Sequence, residues 1–273
     1  MRFAEVIGDP IAHSLSPVIH GHWLERLGRQ ERYVATRITP GELADHIAGR
    51  RSDPSWLGCN LTAPHKEAIL PLIDALTPEA RATGAVNCVY REGERLVGAN
   101  TDVDGLRQAL AGVSLGGGKA VVIGAGGAAR AAIAYLASQE VAETILLVRG
   151  PARAKPLLGP GVRAAPLGGA SEACAGADLI INATPLGMAG GQPMPEAVMD
   201  ALAGASGAVV MEMVYRPLET PLLAVARAAG LGGVDGLEML IGQAGRAFSL
   251  LFGTAPPPGG NDLLRARLAE QAA

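Results

Sequence analysis

The chain has 273 residues, a formal net charge of −3 and 3% aromatic residues. That length suits two modest α/β domains, and the charge leaves no basic footprint for nucleic acid or for a polybasic membrane contact. Cys59, Cys88 and Cys174 stand far apart with no CxxC and no histidine at metal spacing, so no disulfide framework and no metal site are expected, only free thiols in a reducing cytosol.

The start, MRFAEVIGDP, lacks a signal-peptide layout, and stretches such as AVVIGAGGAA are too short and glycine-broken to cross a membrane. FAEVIG (3–8), YVATRI (33–38) and WLGCNLT (56–62) read as strands. Ser16-Pro17 signals a helix running to about Leu27. GELADHIAGR and PHKEAILPLIDAL read as the next two helices. AVNCVYREGERLVGANT follows as two strands around Glu92-Gly93-Glu94, and Asp102 begins the helical pattern DVDGLRQALAG. After the break Gly116-Gly117-Gly118, AVVIG (120–124) is a strand, GAGGAARAAIAYLAS a loop entering a helix, and TILLV (144–148) the next strand. ADLIINAT (177–184) and AVVMEMVY (208–215) are buried strands, and PLETPLLAVARAAG is a helix ending at Gly230. A long apolar helix from Gly236, the loop APPPGG and a final polar helix close the chain. The alternation of short apolar runs with helical patterns predicts an α/β protein. It splits into a first domain over 1–105, completed by the C-terminal helices 236–273, and a nucleotide-type domain over 106–235, with a ligand cleft expected between two lobes.

Gly124-Ala125-Gly126-Gly127-Ala128-Ala129 matches G-x-G-x-x-A, with a strand before it, a helix after it and a second strand on schedule. Such glycines let backbone approach a pyrophosphate, while the helix N-terminus supplies N–H donors and positive potential. The second strand ends Leu147-Val148-Arg149-Gly150 with Arg153 soon after, and no acid stands there to accept from a ribose 2′-hydroxyl. Two guanidiniums suit a 2′-phosphate instead, which makes NADP the expected cofactor.

Polar residues gather at predicted strand ends: Ser14 and Ser16, Asn60 and Thr62, Asn87, then Asn100-Thr101-Asp102. Ser16 and Asp102 can each be read as helix caps and Asn87 as a hairpin residue, so it is their shared position that points to a site. Lys66 stands two residues after Pro64 in a first helical turn, where the macrodipole disfavours a cation. Paired with Asp102 it makes a proton-handling couple able to hold a hydroxyl.

IGDPIAHSLSP, NLTAPHK, GAVN, NTD followed by Gly105, GAGGAAR, INATPLGM, MVYRPLETPLL and DGLEMLIGQA, in this order across nearly the whole chain, resemble the shikimate dehydrogenases of chorismate and aromatic amino-acid biosynthesis. The resemblance implies a two-lobed α/β fold: an N-terminal substrate domain, a Rossmann-like NADP-binding domain and a C-terminal helix returning to the first lobe. It implies a cytoplasmic oxidoreductase that reversibly reduces 3-dehydroshikimate to shikimate with NADP. On this pattern Ser14 and Ser16 bind the substrate carboxylate, Asn60, Thr62, Asn87 and Gln243 hold hydroxyls, and Tyr215 is close to the substrate. Lys66 and Asp102 are the catalytic pair. Gly124, Ala125, Gly126, Gly127 and Ala128 cradle the pyrophosphate, Arg149 and Arg153 the 2′-phosphate, and Thr184, Met213, Gly236 and Met239 lie on the nicotinamide side.

The chain departs from the family where His65 replaces an aromatic residue, Cys88 a threonine, and Val148-Arg149-Gly150 an Asn-Arg-Thr run. The last change removes two adenosine-side hydrogen-bonding groups and loosens the cofactor preference. His65 reads as a first-turn helix residue rather than a second acid. A quinate/shikimate dehydrogenase with relaxed cofactor use stays open, as does a non-catalytic dinucleotide-binding paralogue, against which the Lys66 and Asp102 pair argues. Pairing into a homodimer is left open by the sequence.

Overall fold

The computed structural model describes residues 1–272, the side chains of Arg153 and Ala272 excepted. The chain divides into a first unit, Met1–Gly105 with Ile241–Leu268, and a second, Leu106–Leu240 with the chain end from Ala269.

The first unit holds a six-stranded sheet built from β1 (Phe3–Gly8), β2 (Arg32–Arg37), β3 (Trp56–Leu61), β4 (Ala75–Leu76), β5 (Cys88–Glu92) and β6 (Arg95–Ala99), in the order β2-β1-β3-β5-β6-β4. β1, β2 and β3 are parallel, β5 runs antiparallel to both β3 and β6, and β4 is parallel to β6. This register has a chemical consequence. Asn60 pairs with Cys88 and Cys88 with Ala99, so the end of β3, the start of β5 and the end of β6 converge on one edge. Helices α1 (Ser16–Arg26), α2 (Leu43–Arg51), α3 (His65–Ala68) and α4 (Pro78–Thr83) connect the strands, and α5 (Asp102–Ala109) follows β6. One core cluster gathers Ile7, Ile47, Trp56, Cys59, Leu61 and Ile69, all at least nine-tenths buried. Each large apolar side chain of this kind contributes about 1.5–3 kcal/mol by leaving water.

The helix expected over PHKEAILPLIDAL does not form as one piece. It is a single turn, α3, then a 3-10 turn over Leu70–Leu72, then the edge strand β4. Pro71 has no N–H to continue the ladder and its ring crowds the preceding turn, and Ile73 turns extended at φ −123°, ψ 160°. Ser16 is not the α1 cap either. Leu15 holds that position without a side-chain bond, and the Ser14 hydroxyl accepts the Ser16 N–H at 3.3 Å.

The second unit holds β7 (Lys119–Ile123), β8 (Glu143–Val148), β9 (Val162–Pro166), β10 (Leu179–Asn182), β11 (Val209–Glu212) and β12 (Gly232–Val234), all parallel. The order β9-β8-β7-β10-β11-β12 is 3-2-1-4-5-6 counted from β7, the doubly wound Rossmann arrangement, whose ligand crevice opens where the order reverses between β7 and β10. Helices α6 (Gly127–Ser138), α7 (Pro151–Ala154), α8 (Ala170–Cys174), α9 (Glu196–Ala201) and α10 (Pro221–Ala228) link the strands, and α11 (Gly236–Phe252) and α12 (Asn261–Ala272) close the chain. The near-continuous apolar runs of β7, β8 and β10 are what strands covered on both faces require, and Val121, Ile145, Leu147 and Ile180 are fully buried.

Candidate active site

Four of the expected residues of the first unit are joined directly. Lys66 Nζ donates to Asp102 Oδ2 at 2.6 Å, with the aspartate side chain 8% exposed and the lysine 22%. Asn87 Nδ2 donates to the other carboxylate oxygen, Oδ1, at 2.8 Å and to Thr101 Oγ1 at 3.0 Å. Asn87 Oδ1 accepts the Thr101 N–H at 2.7 Å. Both amide hydrogens of Asn87 are therefore committed within the protein, and what it still offers a ligand is its carbonyl oxygen. Asn60 Nδ2 donates to the Asn87 backbone carbonyl at 3.0 Å. Thr101 Oγ1 lies 3.2 Å from Asn87 Oδ1 and 3.4 Å from Gln243 Oε1, two acceptors for its one hydrogen, which brings the glutamine of α11 to the same edge.

Asp102 is free to face the lysine because another residue does the capping. Asn100 Oδ1 accepts the Asp102 N–H at 3.1 Å, while its own amide is held by Thr83 Oγ1 and the Ala85 carbonyl. The cap reading of Asp102 thus passes to Asn100, and the carboxylate takes a cation and an amide. Lys66 is in turn placed from two sides: its carbonyl accepts the Val86 N–H at 2.8 Å, and Thr62 accepts the His65 N–H at 2.9 Å. His65 is fully buried, with Nε2 2.7 Å from the Ile38 carbonyl, so it points into the core as a donor rather than toward the Lys66 ammonium. Thr62 is half-buried beside the loop that follows β1, its N–H bonded to the Ile7 carbonyl at 3.0 Å. Ser14 and Ser16 stand on that loop and at the start of α1.

In the second unit the glycine loop follows β7 and enters α6. Gly124 has φ +118°, and a Cβ there would lie 2.8 Å from Thr184 Cγ2 on the loop after β10, so the two loops flanking the sheet's switch point approach as only glycine permits. Nothing stands within 4 Å of a Cβ on Gly126, the residue before the first helical turn, which leaves backbone N–H groups from Gly126 through Ala128 open to an anion. Arg149 directly follows β8, exposed, with Nη1 3.5 Å from Gln192 Oε1. Arg153 lies in α7, and its side chain is outside what the structure describes.

Met213 follows β11, its N–H bonded to the Asn182 carbonyl at 3.1 Å. Tyr215 comes next but one, half-buried, and burial pushes its phenol up, opposed by Arg216. Gly236 begins α11, where a Cβ would meet the Val214 carbonyl at 2.3 Å, and Met239 is buried one turn on.

The family model described as "Shikimate dehydrogenase substrate binding domain" matches residues 6–89. The chain is 45% identical over 267 residues to "Shikimate dehydrogenase (NADP(+))" of Sphingopyxis alaskensis, covering 97% of this chain and 96% of that one. The chain belongs to the shikimate dehydrogenase family. Its fold superposes on that of shikimate 5-dehydrogenase from Thermus thermophilus in complex with NADP(H) and shikimate, with TM-score 0.84, 37% identity and coverage of 98% and 99%. The Listeria monocytogenes shikimate 5-dehydrogenase in complex with shikimate and NAD gives TM-score 0.85 at 28% identity, covering 98% of this chain and 96% of that one.

Two groups of this chain escape the sequence patterns. Tyr33, on β2, donates its hydroxyl to Asn60 Oδ1 at 2.7 Å. Glu212, fully buried at the end of β11, accepts from Asn182 Nδ2 at 2.8 Å, from Thr220 Oγ1 at 3.0 Å and from the Val214 N–H at 3.1 Å. Burial pushes Glu212 up to about 7 against the pull of these donors. Since Asn182 Oδ1 also accepts from Thr184 Oγ1 at 2.7 Å, this carboxyl ties the loop after β10 to the loop after β11. A strand-end acid followed by a Thr-Pro helix start was the available signal; what hid Glu212 is that its partners are scattered over 182–220.

Proposed function

We propose that the protein is an NADP-dependent shikimate dehydrogenase that reversibly reduces 3-dehydroshikimate to shikimate. The observation that carries the reading is the 2.6 Å Lys66–Asp102 contact, buttressed by Asn87 and Asn60 on one edge of a sheet that matches the family's substrate domain. The open backbone from Gly126, the closely approached Gly124 and an arginine in place of an acid after β8 fit a dinucleotide bearing a 2′-phosphate. When bound, NADPH supplies the hydride that reduces the substrate ketone.

Lys66 has the chemistry to handle the proton. As charge develops on the ketone oxygen, its ammonium stabilises that charge and donates a proton; in the reverse direction the amine accepts the proton of the hydroxyl. Asp102 aims the Nζ through Oδ2, and Asn87 keeps the carboxylate from turning away. The half-buried setting of the lysine limits competing water and strengthens each contact. Ser14 and Ser16 would hold the substrate carboxylate, Asn60, Thr62, Asn87 and Gln243 its hydroxyls, and Tyr215 would lie near it. Arg149 and Arg153 would hold the 2′-phosphate, with Thr184, Met213, Gly236 and Met239 toward the nicotinamide.

Cytoplasmic placement belongs to the same reading, since three free, buried cysteines suit a reducing compartment. No helix among the described residues is long and apolar enough to cross a membrane. Initial rates with shikimate and with quinate, each against NADP⁺ and NAD⁺, test the proposal. The expected result is fastest turnover of shikimate with NADP⁺. Faster quinate oxidation would move the chain to the broader substrate class, and no reduced nicotinamide with either acid would make it a binding paralogue.

A further inference from the structure

The Tyr33 hydroxyl lies 2.7 Å from Asn60 Oδ1, and both side chains are more than nine-tenths buried. Tyr33 pairs with Ala4 of β1, and Asn60 pairs with Val6, two residues further along the same strand. The two therefore share one face of the parallel sheet, with the small Ala4 leaving room for the phenol to cross. On its far side the ring stacks on His20 of α1, centroids 4.0 Å apart and planes 4° apart. His20 is neutral in this apolar setting, because burial pushes it down to about 3.

A primary amide rotated by half a turn exchanges its donor and acceptor ends at almost no steric cost, so its polarity is set by its partners. The Asn87 carbonyl can only accept, which turns Asn60 Nδ2 toward it at 3.0 Å. The opposite end, Oδ1, then needs a donor, and the Tyr33 hydroxyl is placed to be one. What remains of Asn60 for a ligand is its second N–H. We infer that Tyr33 is a positioning residue that locks the Asn60 amide so that it presents a hydrogen-bond donor to a substrate hydroxyl oxygen. This rests on the functional reading above, in which Asn60 faces the substrate.

The decisive variant is Tyr33→Phe, which keeps the ring and its stack on His20 and removes the hydroxyl, with its hydrogen bond to Asn60 and its contact with the Ser16 side chain. With Oδ1 unsatisfied, the amide keeps the Asn87 carbonyl as its one anchor and is no longer held at both ends. The KM for shikimate is expected to rise on the order of tenfold, the size of one buried hydrogen bond lost. The kcat is expected to stay within about threefold and the KM for NADP⁺ to stay unmoved, because Lys66 and the dinucleotide crevice keep their own partners. Asn60→Ala should raise the shikimate KM at least as far, and Tyr33→Phe added to it should do nothing more. His20→Phe, which alters packing but keeps the phenol, should leave the shikimate KM in place.

A single-site outcome would sink the inference. If Tyr33→Phe leaves the shikimate KM unchanged, or if His20→Phe raises it by the same factor, the phenol is packing and not positioning. An additive double variant would overturn it equally, because the hydroxyl would then be acting by a route other than Asn60. Wild-type turnover separates the two readings. Without oxidation of shikimate by NADP⁺ the functional proposal itself falls, whereas turnover with an unmoved KM in Tyr33→Phe removes the Tyr33 inference alone.

Discussion

Lys66, Asp102 and Asn87 in the first unit are held side chain to side chain, as Asn60 is to Tyr33, whereas Gly124 to Ala128 in the second unit offer backbone with almost nothing beyond it. The same contrast runs through the two buried glutamates. Glu5 of β1 and Glu212 of β11 are both 0% exposed. Burial pushes Glu5 up, but hydrogen bonds from His46, Arg50 and Thr36 outweigh it and bring it to about 2. Glu212 is met by the neutral donors Asn182, Thr220 and the Val214 N–H, burial prevails, and it stands at about 7. At equal exposure the two carboxyls go opposite ways because Glu5 is met by His46 and the Arg50 guanidinium, and Glu212 by neutral donors. The first unit builds with charge, and the second builds by leaving room for a charged ligand.

The harshest test of that contrast is Lys66→Ala. It should lower kcat on the order of 10²–10⁴-fold, the usual size of a general acid–base contribution. Shikimate affinity by calorimetry should largely survive, since Asn60, Asn87 and Thr101 keep their bonds to one another. Unchanged turnover would reduce Lys66 to a surface charge.

Next come the glutamates. A carboxyl whose pKa is raised on folding adds stability that is complete below its unfolded value, and that stability is lost as pH rises through the folded value. For Glu212 the window runs from about 4.5 to about 7. A carboxyl whose pKa is lowered does the reverse, and the Glu5 contribution fades as pH falls from about 4.5 toward 2. Each amounts to about 3 kcal/mol across its full window. Denaturation at a series of pH values should therefore show Glu212→Gln flattening the loss between pH 5 and 8. Glu5→Gln should flatten the acid limb while destabilising the protein at neutral pH, because Arg50 loses its 2.8 Å partner. The two tryptophans, Trp23 and Trp56, both lie in the first unit, so their fluorescence reads the Glu5 limb and far-UV dichroism is needed for Glu212. Coincident pH limbs in the two variants would erase the contrast.

The backbone side of the comparison is tested by Gly124→Ala. An L-residue at φ +118° with Cβ 2.8 Å from Thr184 Cγ2 forces the two switch-point loops apart. The KM for NADP⁺ should rise about 10- to 100-fold, matching roughly 1–3 kcal/mol of strain, while shikimate affinity holds. A rise in both constants together would mean that the damage is to folding.

How legible each region was from sequence follows from this difference. GAGGAA could be read because backbone recognition requires missing side chains in consecutive positions, and those show in a string of letters. The strands β7, β8, β10 and β11 could be read because both of their faces are apolar. Lys66 and Asp102 could be named by residue type and resemblance, though their contact joins α3 to α5. Tyr33 could not: it serves Asn60 from 27 positions away, across β1, and nothing adjacent to it marks a polar role. Asn100 was visible but took the capping part assigned to Asp102, because any Asn or Asp before a helix fits that position equally well. The α4 helix carries full signals in Thr77, Pro78 and the left-handed Gly84, but at six residues it is too short to show a period, and it lies beyond the longer helix expected over PHKEAILPLIDAL, which Pro71 in fact ends. The edge strands β9 and β12 carry too little buried apolar surface to stand out from loops.

The gentlest prediction concerns a side-chain charge that the second unit presents at a strand end. Arg149 is exposed at the end of β8, and its contact with Gln192, at 3.5 Å, is at the limit of a hydrogen bond. Its geometry suits a phosphate added from solvent better than a fixed internal role. Arg149→Asp replaces a guanidinium with an acceptor of the kind that holds a ribose 2′-hydroxyl. The ratio of kcat/KM for NADP⁺ to that for NAD⁺ should fall about tenfold or more, from both ends: NADP⁺ loses a charge-assisted pair and meets repulsion at its 2′-phosphate, while NAD⁺ gains an acceptor for its ribose 2′-hydroxyl. A fall through the NADP⁺ term alone would show that the strand end repels phosphate without accepting NAD⁺, as expected where Val148 and Gly150 supply no adenosine-side hydrogen bonds. An unmoved ratio would pass the discrimination to Arg153, and Arg153→Ala would then have to lower it.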